Sequence, residues 1–335
     1  MAETTAAAVR AGICTIAEYP FVTLRGEPMT VAADPRLSPQ LDGANRLLPM
    51  AYAVIEEVAH KLAAAPRPYR GPVDLWLALP ESRPGFPEHE LQTTAKQLTT
   101  SLAATGTSLR ADLVGRGHAG VAQVIERAAQ EAAVGREVLT VVVGIDSYIH
   151  PETLTWLEHE RLFGPDARNG FHPGEAAGCL VLASPRLRHV LGLPCLATIA
   201  GVATAREQRL PGSETGSFGE GMTQALRGAV AGLQFPDQAV DTIYCDINGE
   251  RYRSEEWAFV NLREPTAIRA PGYDAPADCW GDVGAASGAL FGVLAVRAWA
   301  RGYAAGPHAL ALTGSSNGLR GAILFEQPSR QGPNA

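Results

Sequence analysis

No stretch of this chain approaches the ~20 consecutive apolar residues that cross a bilayer as a helix, and mean hydropathy is only −0.02. A membrane-spanning role is excluded on that reading. Basic charge is also short: 28 Lys and Arg face 35 Asp and Glu, a net charge of −7 with a pI near 5.7. Nucleic acids and anionic membranes select basic surfaces, so neither is expected as a partner. The five cysteines, Cys14, Cys179, Cys195, Cys245 and Cys279, are odd in number and never stand as CxxC. They read as reduced thiols of a cytoplasmic protein. The eight histidines form no HExxH or HxxxH pattern, so no metal is expected. No cofactor is signalled, and the opening residues lack a basic-then-apolar secretory pattern.

Apolar material is plentiful: 46% hydrophobic residues against 19% charged, ample for a large core. The 335 residues fit two domains or one large two-lobed one. Strand signals fall at Val73–Ala78, Val138–Ile145, Gly178–Ala183, Cys195–Ala203, Thr242–Cys245, Ala309–Leu312 and Gly321–Phe325. Val138–Ile145 is apolar on both faces, as a strand covered on both sides requires. Helical spacing marks Ala44–Leu62, Leu91–Leu102, His118–Val134 and Gly221–Leu233, the last preceded by a Gly/Ser-rich loop, Pro211–Gly219. This alternation specifies an α/β protein.

Two segments match in plan. Gly115–Gln130 is a Gly/Ala-rich turn and long helix, followed by a strand closing on Gly144. Gly281–Arg297 repeats that plan, with a strand closing on Gly314, 170 residues later. From Ala285 to Ala300 the second helix is apolar almost all round and must be covered on every side. The expectation is a duplicated architecture, with central helices sandwiched between two sheets.

Gly170-Phe-His-Pro-Gly-Glu-Ala-Ala-Gly178 resembles the GFxxGEGAG strand segment of β-ketoacyl synthases, in the condensing-enzyme (thiolase-fold) superfamily. Glu137–Ser147 is similar to that family's strand ending in GGVDS, Gly281–Gly288 to its GHTLGAAG turn, and Ser315–Glu326 to its closing glycine-rich strand. The resemblance implies a five-layer α-β-α-β-α fold of two halves, residues 1–185 and 186–335. It also implies a dimer, with itself or with another thiolase-fold protein. In that family a cysteine at a buried helix N-terminus takes the acyl group, because the helix dipole favours its thiolate. Two histidines then stabilise the charge that develops as malonyl decarboxylates.

Aligned on those motifs, the cysteine position falls on His118, the first histidine on Asn248 and the second on Gly281. The Cys-His-His set is absent, which points to lost condensing activity and a binding, assembly or accessory role. Short chains of this kind resemble proteins grouped with type VI secretion. Two alternatives stay open: a silent partner subunit like a chain-length factor, or acyl-transfer or thioester chemistry through His118. His118, Asn248, Glu250, Asp282 and Asn317 are candidates for a residual pocket, with an acyl thioester as ligand and a protein as partner. A histidine at a helix N-terminus is expected to stay uncharged. Gly115-Arg-Gly-His-Ala-Gly120 also reads as GxGxxG, but the acidic residue after the next strand, Asp146, is loosely spaced for a dinucleotide site, and a tight elbow explains the glycines better. Asp146 and Ser147 are expected as caps, Glu175 as structural, Cys179 and Cys245 as packing. Tyr244–Trp257 reads as a loop over the cavity or against a partner.

Overall fold

The computed structural model describes residues 1–67, 69, 71–103, 109–210, 213 and 216–329. Four residues of the Pro211–Gly219 loop lie outside them. Helix α1 (Ala2–Arg10) precedes the hairpin β1 (Ala17–Val22) and β2 (Pro28–Val31). Then come α2 (Gly43–Ala63), β3 (Val73–Leu79), α3 (Glu88–Ala103), β4 (Leu109–Arg116), α4 (Gly120–Ala133), β5 (Leu139–Ser147), α5 (Pro151–His159) and β6 (Glu175–Leu182). The remainder is α6 (Pro185–Leu191), β7 (Thr198–Arg206), α7 (Glu220–Val230), β8 (Thr242–Cys245), α8 (Arg251–Arg263), α9 (Ala277–Trp280), α10 (Ser287–Ala300), β9 (His308–Gly314) and β10 (Leu319–Glu326).

Two four-stranded sheets run β4-β3-β5-β6 and β7-β10-β9-β8. In the first, β3 is parallel to β5, which is antiparallel to β6. In the second, β8 is parallel to β9, which is antiparallel to β10. The pairing pattern thus repeats. Helices α4 and α10 lie between the sheets, each touching strands of both. Their core joins Val121, Val124 and Ile125 to Ala289, Phe291 and Leu294. Helices α2 and α3 cover the outer face of the first sheet, and α7 and α8 that of the second. The result is the expected α-β-α-β-α stack. All nine residues of β5 are buried, as a strand between two helical layers requires.

Small residues set the layer spacing. A Cβ on Gly144 of β5 would stand 2.3 Å from the Ala285 carbonyl oxygen, so the turn before α10 rests directly on this strand. Gly115 touches the Gly120 backbone across the β4–α4 connection, where an added Cβ would meet the Gly120 oxygen at 2.2 Å. Gly117, between them, has φ +64°. The GxGxxG run is therefore a strand-to-helix elbow closed on itself.

Several local expectations are revised. Tyr244–Trp257 is not a loop throughout: it spans the end of β8, a short turn and the first half of α8. His150, not Asp146 or Ser147, is the N-cap of α5, although Ser147 Oγ does satisfy a free N–H after the strand, accepting from Ile149 at 3.1 Å. Asp146 accepts from Arg83 Nη2 at 2.6 Å and from the Ala285 N–H, in the turn that opens α10, at 3.0 Å. Ser147 donates to Glu175 at 2.8 Å. Strand β7 runs Thr198–Arg206, shifted three residues from Cys195–Ala203 by its register against β10. Glu175 is structural, held by both Arg46 Nε and Nη2 at 2.6 and 2.8 Å with both side chains fully buried.

Candidate functional site

The elbow delivers His118 to the first turn before α4, where it is 2% exposed. Asp282 faces it from the second half of the chain. Main-chain bonds fix that carboxylate: the Asp282 N–H donates to the His172 carbonyl at 2.8 Å and its carbonyl accepts from the Gly174 N–H at 2.9 Å. The Gly170–Gly178 segment therefore sets the height of Asp282. Gly281 makes the approach feasible: its φ is +68°, and a Cβ there would lie 2.7 Å from the His172 oxygen.

Asp282 is the hub of the cluster. Its Oδ1 and Oδ2 lie 2.8 and 3.0 Å from His118 Nε2. Oδ1 also accepts from the Gly284 N–H at 2.8 Å, and Oδ2 from Asn248 Nδ2 at 2.5 Å. Asn248 Nδ2 further donates to Glu250 at 3.1 Å, and its Oδ1 accepts from the Glu250 N–H. Arg253, from the first turn of α8, completes the set. It donates to Glu250 and Asp246 at 2.8 and 2.7 Å and to the Gly314 carbonyl at 2.9 Å. Its remaining Nη2 stands 3.4 Å from His118 Nε2.

The surroundings push His118 toward its charged form, the opposite direction from the one a helix N-terminus alone would give. Burial pulls the His118 pKa down and Arg253 adds to that, but the charge and hydrogen bond of Asp282, with the charge of Asp246, outweigh them, so the net shift is upward. Burial likewise opposes ionisation of Asp282, yet the His118 charge and hydrogen bond, with Arg253 and the Gly284 N–H, hold its carboxyl well below the usual range. The helix N-terminus loses because a full negative charge sits in contact with the ring, whereas the dipole supplies about half a charge. His118 Nε2 is held against Asp282, and Nδ1 is buried without a hydrogen-bond partner among the described residues, so it is the burial of the whole ring that keeps a thioester from it.

Four of the candidate residues thus meet: His118, Asn248, Glu250 and Asp282, with Gly281 supplying the turn. Asn317 does not join them. It is exposed, and its Oδ1 accepts from the Leu319 N–H at 2.9 Å within its own turn. Glu81 holds this turn by accepting from the Ser316 and Asn317 N–H groups, each at 2.9 Å. Ser315 ties the turn to the elbow, its Oγ accepting from the Ala119 N–H at 3.0 Å.

Sequence reasoning misses Arg253 and Asp246 as site residues. Asp246 follows an apolar strand directly, which is the signal that could have found it. Beside them runs a second buried pair, Arg320 and Glu256, bonded twice at 2.7 Å. Cys179 and Cys245 carry no chemistry here: burial pushes the Cys179 thiol up to about 12 and that of Cys245 well up.

A cavity borders the cluster at Asp246, Arg253 and Gly314, but its volume is about 20 Å³. That is room for roughly one water molecule, far below the ~300–1,000 Å³ of small-molecule sites. A larger surface groove of about 460 Å³, lined by Pro84, Pro151, Glu152, Thr155, Trp156 and His159, shares no lining residue with it. Among the described residues, no group of three or more His, Cys, Asp or Glu is placed to hold a metal ion. No described helix is long and apolar enough to cross a membrane.

No family model matches the chain, and no curated protein matches it. Solved structures do. A chain of the apo AntDE:AntF assembly, a type II polyketide synthase acyl-carrier protein in complex with its ketosynthase bound to the hexaketide, superposes with a TM-score of 0.74 at 15% identity. That match covers 96% of this chain and 94% of the other. The ketosynthase from module 6 of the bacillaene synthase of Bacillus subtilis 168 gives 0.72 at 14% identity, covering 96% of this chain and 68% of its own. A cysteine-to-serine mutant of that ketosynthase gives 0.66 at 13%, over 90% and 59%. The chain has the ketosynthase, thiolase-like fold.

Proposed function

We propose that this chain is a ketosynthase-fold protein that carries out no condensation and serves as a binding or assembly partner in the cytoplasm. One observation carries the reading. At the elbow, where a condensing enzyme needs a thiolate that an acyl thioester can reach, His118 stands enclosed and bonded to Asp282 through Nε2. The ~20 Å³ cavity beside the cluster adds that no acyl chain has room there. Loss of the thiol removes the acyl acceptor, and replacement of the other two positions by Asn248 and Gly281 removes the charge-stabilising imidazoles.

The partner in this proposal is another protein, with a homodimer or a heterodimer with a second thiolase-fold chain as the assembly. The AntDE:AntF structure joins a ketosynthase to an acyl-carrier protein, which makes carrier proteins the first class to test. An accessory role in type VI secretion is the narrower form, supported by the likeness to short chains without the nucleophile. Acylation at His118 is disfavoured by the burial of its ring, 2% exposed.

The experiment is incubation of the purified protein with acyl- and malonyl-thioesters, read by intact mass and thiol release, followed by affinity capture. The expected result is no adduct and no product, with a defined protein partner recovered. An adduct lost in His118→Ala, or condensation by the chain alone, would overturn the proposal. Stoichiometric recovery of a cysteine-bearing ketosynthase would convert it into the chain-length-factor form.

A further inference from the structure

The residues before β1 cross over α9, just ahead of Asp282. Helix α1 packs on α10, with Glu3 bonded to Arg297 and to Arg301. The chain then passes along Cys279: the Thr15 N–H and Oγ1 both donate to the Cys279 carbonyl, at 2.8 and 3.0 Å. The Cys279 side chain faces this arm, its Sγ 4.0 Å from the Val9 carbonyl oxygen. Cys14, adjacent to Thr15, is a free and exposed thiol, and Cys279 is free and half-buried. The Thr15 nitrogen is two bonds from the Cys14 Cα, and the Cys279 oxygen two bonds from the Cys279 Cα. A 2.8 Å hydrogen bond between them brings the two α-carbons to the scale of the ~4.4–6.8 Å that disulfides span.

We infer that Cys14 and Cys279 form a reversible disulfide, a modification site closed by a low-molecular-weight disulfide such as oxidised glutathione. The exposed Cys14, as thiolate, attacks one sulfur of the oxidant, expels one thiolate and leaves a mixed disulfide. Cys279 loses its proton to solvent and attacks the Cys14 sulfur, expelling the second thiolate. Two protein thiols and one small disulfide become one protein disulfide and two small thiols, with no other reactant. The order follows from exposure. Burial raises the Cys279 thiol, and the nearby Cys14 raises it further, so Cys14 reacts first.

The bond would fix the arm to α9 (Ala277–Trp280), which leads through Gly281 into Asp282 and its contact with His118. Oxidation therefore fastens one support of the buried cluster from outside, without altering a residue in it. The inference does not depend on the proposed function.

The test is treatment of the reduced full chain with oxidised glutathione, followed by denaturing thiol titration and peptide mapping. Titratable thiols should fall from the five of the sequence to three. A peptide joining Cys14 to Cys279 should appear, the chain should run as a monomer on a non-reducing denaturing gel, and dithiothreitol should restore all five. Cys14→Ser, at an exposed position, should fold normally and lose no thiols. Cys279→Ser should stop at the mixed disulfide on Cys14. A bridge between two chains, a mixed disulfide on Cys14 that persists in the wild type, or the same thiol loss in Cys14→Ser would each overturn the inference.

Discussion

Asp282 and His118 titrate in opposite directions, and the pair leaves a pH signature. Asp282 is depressed on folding, so its contribution is present above its unfolded value of about 3.9 and lost as pH falls through the lower folded one. His118 is raised, so its contribution is complete below about 6.5 and lost as pH rises through the higher folded value. Asp282→Ala strands the buried His118 without its carboxylate and leaves Asn248 Nδ2 and the Gly284 N–H without that acceptor. It should cost about 3–5 kcal/mol at pH 5 and less above neutrality, read as unfolding free energy by urea titration at both pH values. The Glu256–Arg320 pair gives a second prediction. Arg320→Met leaves a carboxylate buried and should cost about 3–5 kcal/mol, whereas Glu256→Leu with Arg320→Met recovers most of that loss in the same titration. A function that needs neither imidazolium nor thiol also predicts that His118→Cys alone restores no condensation of malonyl and acyl thioesters.

At the scale of single elements, legibility follows apolar content. Strand β8 is readable to the residue as Thr242–Cys245, and α4 and α10 announce themselves by stripes of Val, Ile, Leu and Ala. Helix α8 does not, because its inward face is Arg253, Glu256 and Val260, a helical spacing written partly in charge. Apolar periodicity cannot detect a face whose burial depends on ion pairing. For the same reason Asp282, Asn248, Glu250 and His118 are visible as candidates, while the arginine that binds two of the carboxylates reads as a surface contact. The sequence places His118 at the elbow but misses what pushes its pKa upward, because Asp282 lies 164 residues away in sequence. Element packing yields its own prediction at Gly144. Gly144→Ala pushes a methyl group against the Ala285 backbone, which cannot rotate away as a side chain can. The expected cost is about 1–3 kcal/mol, seen as a lower urea midpoint with unchanged slope.

Across the molecule, α4 and α10 hold the two sheets together. Residues 1–185 end without α10, and residues 186–335 lack α4, although each helix is packed against both sheets. Expressed separately, the two segments should each remain unfolded or aggregate, while the whole chain melts in one transition with matching calorimetric and van't Hoff enthalpies. Independent folding of either segment would show that the layers are separable domains.

A consequence follows for biosynthesis. The inner face of the first sheet carries Trp76 and Val142, and part of its covering, α10, lies at Ser287–Ala300, far downstream of both. An emerging polypeptide therefore displays a greasy, unroofed surface until those residues leave the ribosome, and nascent-chain chaperones have a long interval in which to engage it.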